Sequence, residues 1–215
     1  MKQITFYFDV VSPFAALAFE RLPETLIGLN VVVNYQPILF AGLLKHWGQK
    51  GPAEMETKRQ WTFRQVAWIA HRQGVDLQVP VQHPFNPLAL QRLAWACAGR
   101  LDGPNRYVVE SLFHHVWRGG LDANEPQRLA RLQQDLAPRS DPGSDAVKQA
   151  LRRATDKAIE RGVFGVPMME VDGKQFWGLD SLDMLAAYLH GDPWFQGPAW
   201  DEAGRPRAGV VRRAP

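Results

Sequence analysis

A serine at the end of a hydrophobic stretch is the first residue whose position suggests chemistry. Ser12 lies in FYFDVVSPFAAL, after alternating apolar residues and directly before Pro13. A serine that precedes a proline at the first helical position is typical of a helix N-cap. The N-terminus of a helix also favours anions, so the same hydroxyl could donate to a bound thiolate and lower the pKa of that thiol. The sequence leaves both interpretations open.

A thiol for such a site would have to come from a bound molecule. Cys97 is the only cysteine, and its helical spacing with apolar residues in QRLAWACAGRL favours a buried small side chain over a reactive thiol. A single cysteine excludes an intramolecular disulfide and a cysteine-based zinc site. Adjacent His114 and His115 would project about 100° apart on a helix. We therefore expect no metal site.

Two positions far along the chain could complete a binding site. Val166-Pro167, in RGVFGVPMMEVDG, is either a simple strand start or contains a cis proline. A cis proline would leave the backbone N–H and C=O of Val166 free to pair with an extended ligand. Asp180 is either the N-cap of a helix, with Asp183 at N3, or a carboxylate that holds an ammonium group.

Two charged positions are further candidates. Asp9 is expected at the carboxyl end of a strand, where α/β proteins bind ligands. The pair Lys58-Arg59 is either a solvated helix face or, through Lys58, an anion-binding group.

The first elements that position these residues follow from hydrophobic periodicity. Residues 2–9 alternate and predict a strand, a helix is expected from Pro13 to about Leu22, and the β-branched residues 30–36 predict a second strand. The short crossover predicts that the two strands are parallel.

The rest of the chain divides into a helical block and a second sheet portion. No strand signal interrupts residues 52–161, whereas apolar runs on both sides of Asp172-Gly173 predict a β-hairpin. A last helix is expected to start at Asp180. The order βαβ, helices, ββα predicts one mixed sheet under a lobe of helices.

The quoted stretches together resemble one family. The motifs DVVSPF near the start and GVFGVP followed by GLDSLDML resemble the thioredoxin-fold group that contains 2-hydroxychromene-2-carboxylate isomerases and kappa-class glutathione transferases. The resemblance implies an α/β thioredoxin-like fold with a large all-helical insertion. It implies a discontinuous thioredoxin-like domain (1–38 and 162–195) and a helical insertion domain (39–161). The tail (196–215) lies outside the resemblance, and its Arg-, Pro-, Gly- and Ala-rich composition predicts that it is mobile.

The resemblance also implies roles for individual residues. Ser12 occupies the position of the first cysteine of redox relatives and Ala15 that of the second, so disulfide exchange is excluded and Ser12 becomes the catalytic contact to the sulfur of glutathione. The remaining implied glutathione contacts are Gln49, Lys58, Val166, Pro167, Asp180 and Ser181. The kappa-type pattern has Asn where this chain has Gln49, and Ser where it has Leu179, for which Ser181 could substitute.

The implied activity is a glutathione-dependent isomerisation of aromatic hydroxychromene or benzylidenepyruvate-like acids. Phe14, Trp47 and Trp61 are candidate walls for the flat substrate. A glutathione transferase and a non-catalytic thiol- or peptide-binding module are the alternatives. A homodimer is expected from the resemblance.

Composition narrows the possible partners. The net charge is +3, of which +2 falls within the last fifteen residues, so the body lacks the basic face of a nucleic-acid-binding protein. No apolar run approaches the roughly 20 residues of a membrane helix. The N-terminus has no signal-peptide pattern. We therefore expect a cytoplasmic protein whose partners are glutathione and a small aromatic acid, with no nucleic acid and no membrane.

Overall fold

The computed structural model describes residues 1–99, 103–205 and 209. The strands are β1 (Lys2–Phe8), β2 (Val31–Pro37), β3 (Met168–Val171) and β4 (Lys174–Trp177). The helices are α1 (Pro13–Thr25), α2 (Phe40–Trp47), α3 (Glu56–Gln73), α4 (Leu88–Cys97), α5 (Arg106–Trp117), α6 (Pro126–Leu136), α7 (Asp145–Glu160), α8 (Leu182–Leu189) and α9 (Pro198–Ala203). None of the helices in these ranges is long and apolar enough to cross a membrane.

The described strands form one mixed sheet in the order β2-β1-β3-β4. β1 runs parallel to β2, with Phe6 opposite Tyr35, and antiparallel to β3, with Phe6 opposite Met169. Asp172-Gly173 joins β3 to β4, and both residues have positive φ values, 51° and 76°, as a two-residue hairpin turn requires. The parallel pair, the hairpin and the mixed sheet confirm the sequence predictions.

Helices cover both faces of the sheet. Ile4, Phe6 and Phe8 point to one face and are fully buried, as their alternation predicts. Phe8 packs against Phe113 of α5, with ring centroids 5.4 Å apart. Tyr7 faces the other side, in a cluster that includes residues of α2 and α7. Because α5 packs directly on the central strand, the helical insertion and the sheet share one core.

The C-terminal part of the chain differs from the sequence prediction in two respects. The last predicted helix begins at Leu182 rather than at Asp180, which lies in a 3₁₀ turn, Leu179–Ser181, and caps no helix. The predicted tail, 196–215, contains α9, and its Trp200 packs against Phe176 with centroids 5.8 Å apart. Residues 206–208 and 210–215 of that tail lie outside the described residues.

The shared core predicts how the protein unfolds. Phe113→Ala should lower the free energy of unfolding by about 3–5 kcal/mol, because it removes a fully buried ring between α5 and β1. The denaturant transition, followed by circular dichroism and by tryptophan fluorescence, should remain single. Tyr107→Ala is the control on the same helix, since Tyr107 is 61% exposed. Two separated transitions would instead show that the insertion is an independent unit.

Candidate functional site

Ser12 is both a helix cap and a contact to a distant segment. Its Oγ accepts a hydrogen bond from the Ala15 N–H at 3.2 Å and thereby caps α1. The same hydroxyl donates to the carbonyl oxygen of Val166 at 3.4 Å. The cap predicted from Ser12-Pro13 is confirmed, and the second contact brings together two segments that are 154 residues apart.

The first turn of α1 offers a second donor beside the hydroxyl. Pro13 has no N–H, and the Ala15 N–H is bound by Ser12. The Phe14 N–H has no hydrogen-bond partner within residues 1–99, 103–205 and 209. An unpaired N–H at the positive end of a helix dipole favours a negatively charged ligand atom.

The Val166-Pro167 peptide bond is cis, which was one of the two alternatives that the sequence left open. The Pro167 carbonyl accepts from the Gly178 N–H at 2.9 Å, which fixes the segment after β4 beside the proline. In the part of the chain that the structure describes, the Val166 N–H donates to no protein acceptor. This segment therefore keeps a backbone donor available to an extended ligand.

A groove of about 940 Å³ extends from this point between α1, α3 and the turn that precedes α8. The residues that line it are Phe14, Glu20, Arg21, Glu24, Gln65, Trp68, Ile69, Arg72, Gln73, Val75, Val166, Pro167, Trp177, Gly178, Leu179, Asp180 and Asp183. Ser12 adjoins the groove through its neighbours and is only 8% exposed. The groove thus brings together four predicted site residues, Phe14, Val166, Pro167 and Asp180.

Asp180 enters the groove without a protein partner. Its side chain is exposed and makes no hydrogen bond or ion pair with any residue that the structure describes. The neighbouring Ser181 donates its hydroxyl to the Gly178 carbonyl at 2.9 Å and does not line the groove. Asp180 is thus available to a cationic group, whereas Ser181 is engaged in its own turn.

Four other predicted site residues do not line the groove. Gln49 and Lys58 are exposed, the first after α2 and the second on α3. Trp47 donates its indole N–H to the Val163 carbonyl at 3.0 Å, and Trp61 is 64% exposed. The contacts predicted for these residues stay predictions.

Aromatic residues that sequence reasoning missed lie at the groove instead. Trp177 packs edge-on against Phe164, with centroids 5.0 Å apart. A Cβ on Gly165 would lie 2.6 Å from the indole nitrogen of Trp177, so the glycine allows this close packing. Trp68 lines the groove from α3 and is 57% exposed. Trp177 was hidden from sequence reasoning because it ends a predicted strand.

The loop before Ser12 is held by the carboxylate of Asp9. One oxygen of Asp9 accepts from the Val11 N–H at 3.1 Å, and the other accepts from the Phe40 N–H at 2.9 Å. Complete burial raises the pKa of Asp9 to about 7, although both backbone hydrogen bonds oppose the shift.

Side chains of the helical insertion bind the carbonyl oxygens of the same segment. Trp117 donates its indole N–H to the Val10 carbonyl at 2.9 Å. Gln91 donates to the carbonyls of Phe8 at 3.1 Å and Ile38 at 2.7 Å. The backbone that leads from β1 to Ser12 is therefore fixed from the insertion side.

His83 of the insertion contacts the residue directly before Ser12. Its Nε2 lies 2.7 Å from the Val11 carbonyl oxygen, which can only accept, so this nitrogen carries the hydrogen and donates it. The other ring nitrogen, Nδ1, is buried without a partner among the described residues. Burial lowers the pKa of His83 because it disfavours the charged imidazolium; the hydrogen bond to the Val11 carbonyl opposes this shift, and the positive charge of Arg59 adds to it. No local sequence pattern indicated this role.

One group of potential metal ligands forms among the described residues, where the sequence predicted none. Glu20 of α1 and Glu110 and His114 of α5 offer ligand atoms within 4.8 Å of one another. The Glu20 carboxylate already lies 2.9 Å from His114 Nε2 and 3.7 Å from the Arg118 guanidinium. The Glu20 carboxylate is therefore already engaged by His114 and Arg118 in this structure.

Comparison with known proteins agrees with the fold. A family model described as a DSBA-like thioredoxin domain matches residues 3–190, and the chain belongs to this family. A 2-hydroxychromene-2-carboxylate isomerase from Sphingobium xenophagum is 31% identical over 196 residues, which cover 87% of this chain and 98% of that protein. The chain is an enzyme of the 2-hydroxychromene-2-carboxylate isomerase type.

A kappa-class glutathione transferase and a solved isomerase structure are also similar to this chain. Glutathione S-transferase kappa 1 from Homo sapiens is 26% identical over 214 residues, which cover 90% of this chain and 92% of that protein. A solved structure of a 2-hydroxychromene-2-carboxylate isomerase superposes with a TM-score of 0.77 at 24% identity, over 90% of this chain and 97% of that one. The superposition confirms the predicted thioredoxin-like fold with its helical insertion.

The contact from His83 predicts a local effect of mutation. His83→Leu should lower the free energy of unfolding by about 1–3 kcal/mol, because the half-buried Val11 carbonyl loses its donor. Exchange of the Ser12 amide hydrogen, which is bound to the Asp9 carbonyl at 3.0 Å, should become faster. His71→Leu, at an exposed position on α3, is the control. Equal effects of the two substitutions would contradict the role of His83.

The raised pKa of Asp9 predicts a pH dependence of stability. Between about pH 4 and 7 the unfolded chain is ionised at this position, whereas the folded chain keeps the proton. The free energy of unfolding should therefore fall as the pH rises through this window and then level off. Asp9→Asn should remove that contribution, which is about 4 kcal/mol. Denaturant titrations at several pH values test this, and parallel wild-type and variant profiles would contradict it.

Proposed function

We propose that the protein is a glutathione-dependent isomerase that interconverts 2-hydroxychromene-2-carboxylate and trans-o-hydroxybenzylidenepyruvate-like aromatic acids. The observation that carries this proposal is the Ser12 hydroxyl, placed at a helix N-terminus against the Val166 carbonyl and beside the groove. The similarity to the isomerase from Sphingobium xenophagum supports the substrate class. A reaction that needs reduced glutathione also favours the predicted cytoplasmic location.

The residues at the groove fit glutathione and offer no thiol of their own. The free N–H of Val166 suits an extended peptide backbone, and the Asp180 carboxylate suits the ammonium of a γ-glutamyl group. Cys97 lies on α4, and burial raises the pKa of its thiol to about 11, so it remains protonated. Ala15 occupies the position at which redox relatives carry their second cysteine. The ligand must therefore bring the reacting sulfur.

Ser12 is poised to exchange one hydrogen-bond acceptor for another. Its bond to the Val166 carbonyl, at 3.4 Å, is long for an O–H donor and is therefore weak. A ligand backbone that donates to this carbonyl would free the hydroxyl to donate to a sulfur atom. The Ser12 O–H and the Phe14 N–H would then stabilise a thiolate together at the positive end of α1.

Bound glutathione would supply a thiolate for reversible addition to the conjugated double bond of the ring-opened substrate. That bond would become a single bond, and rotation about it would change the isomer. The addition consumes no net proton or electron, and elimination restores the thiolate. Phe14 and Trp177 of the groove would form apolar walls for the flat substrate. Exposed aromatic faces of this kind bind planar ligands by stacking.

The serine is the residue to test. Ser12→Ala should lower kcat/KM about 10- to 100-fold, because a charge-assisted hydrogen bond to the thiolate is lost. The pKa of the enzyme-bound glutathione thiol, followed by thiolate absorbance, should rise. Ser111→Ala is the control, since the Ser111 hydroxyl donates only to the Tyr107 carbonyl in its own helix.

Unchanged turnover in Ser12→Ala would overturn the role of the serine. Turnover by the wild-type enzyme that ignores added glutathione would overturn the mechanism as a whole.

A kappa-like glutathione transferase is the second candidate, favoured by the 26% identity to the human kappa enzyme. The same site would then direct the thiolate to an electrophile that stays attached to the sulfur. The concentration of free glutathione, measured during turnover, distinguishes the two reactions. Isomerisation leaves its concentration constant over many turnovers, whereas transfer consumes one glutathione for each product molecule.

A further inference from the structure

The charged residues of the groove are not all paired within the protein. Arg21 contacts Asp183 at 2.7 Å, and Glu20 contacts His114 at 2.9 Å. Arg72, Asp180 and Glu24 also line the groove, but none of them forms an ion pair with any residue in 1–99, 103–205 or 209. Arg72 is therefore the cation that the described part of the groove leaves for a ligand.

Arg72 is oriented by its own helix. It lies four residues after Trp68 on α3, and its guanidinium carbon is 5.2 Å from the centroid of the Trp68 ring. Stacking on an indole restricts a guanidinium without using its N–H donors. The planar fork of Arg72 therefore remains free to bind a carboxylate through two parallel hydrogen bonds.

The proposed ligand carries both charges at one end. The γ-glutamyl group of glutathione has an ammonium and a carboxylate on the same carbon, and Asp180 can neutralise only the ammonium. We propose that Arg72 of α3 binds the α-carboxylate of the γ-glutamyl group and so makes the site selective for γ-glutamyl thiols. This inference rests on the proposed use of glutathione.

The arrangement explains why a helix of the insertion lines this groove. Val66 and Ala70 of α3 are buried, and Phe63 and Ile69 pack partly against the core, so the exposed side chains of this helix, such as Arg72, can face solvent or a ligand. Arg21 could reach the same space from α1, but its charge is already compensated by Asp183. A γ-glutamyl group bound between Asp180 and Arg72 would form ion pairs with one acid and one base that have no such partner among the described residues.

The test compares two ligands by isothermal titration at a fixed pH and salt concentration. One ligand is glutathione, and the other is 4-aminobutanoyl-cysteinylglycine, which keeps the amine and the thiol but lacks the α-carboxylate. Arg72→Gln should weaken the binding of glutathione about five- to twentyfold. The same substitution should change the affinity for the second ligand less than twofold.

Two further variants test whether the loss of affinity is specific to Arg72 and to its stacking on Trp68. Arg64→Gln, on the same helix but outside the groove lining, should leave both affinities unchanged. Trp68→Ala should weaken glutathione binding about two- to threefold, because Arg72 loses the ring on which it stacks.

The outcomes separate the inference from the proposed function. Wild-type protein that binds glutathione, with an affinity that Arg72→Gln does not change, would overturn the role of Arg72 and leave the proposed function standing. An equal loss for both ligands would also overturn it, since the α-carboxylate would then not be the group recognised. Wild-type protein that binds no glutathione would overturn the proposed function and this inference with it.

Discussion

The structure depends on how the backbone between β1 and α1 is held. A strand that ends inside a protein presents polar groups to an apolar core, and each of them needs a partner. Here the partners are side chains: Gln91, Trp117 and His83 bind the carbonyls of Phe8, Val10 and Val11, and Asp9 binds two N–H groups. Three of these four side chains come from the helical insertion. The insertion therefore supports the site, because Trp117 and His83 supply the hydrogen-bond donors to the Val10 and Val11 carbonyls on the backbone that leads to Ser12.

This support matters because Ser12 has a single hydroxyl hydrogen and two functions. As a cap it accepts from Ala15, and this contact uses only a lone pair of the oxygen. The hydrogen remains for a second bond, which goes to Val166 in this structure. Capping and donation are thus compatible in one side chain, so the two interpretations of Ser12 are not in competition.

Local patterns predicted the parts of the molecule that depend on local physics. The alternation of Ile4, Phe6 and Phe8 and the turn at Asp172-Gly173 were sufficient for the sheet, because side-chain period and positive φ values are properties of neighbouring residues. Asp180 was ambiguous for the same reason. A helix N-cap and a residue of a preceding 3₁₀ turn look alike in sequence, and only the tertiary structure separates them.

What sequence reasoning missed depends on contacts between distant residues. The bond from His83 to the Val11 carbonyl joins residues 72 positions apart, and the carbonyl carries no side-chain signal. The tryptophans were also beyond sequence reasoning. The sequence suggested Trp47 and Trp61, whereas Trp177 and Trp68 line the groove because of how β4 and α3 pack. Residue type alone predicted aromatic candidates, whereas the fold decides which tryptophans line the groove.

The electrostatics of the loop also limit what Asp9 can do in a reaction. A buried carboxyl group with a pKa of about 7 near a catalytic serine would suit a general base. However, both oxygens of Asp9 already accept backbone N–H groups, and the described link between Asp9 and Ser12 is the bond from the Ser12 N–H to the Asp9 backbone carbonyl. Its carboxyl group therefore positions the loop and does not accept a proton from the serine. Among the described residues the Ser12 hydroxyl contacts no base, which suits a ligand whose thiol ionises because two neutral donors and a helix dipole stabilise the anion.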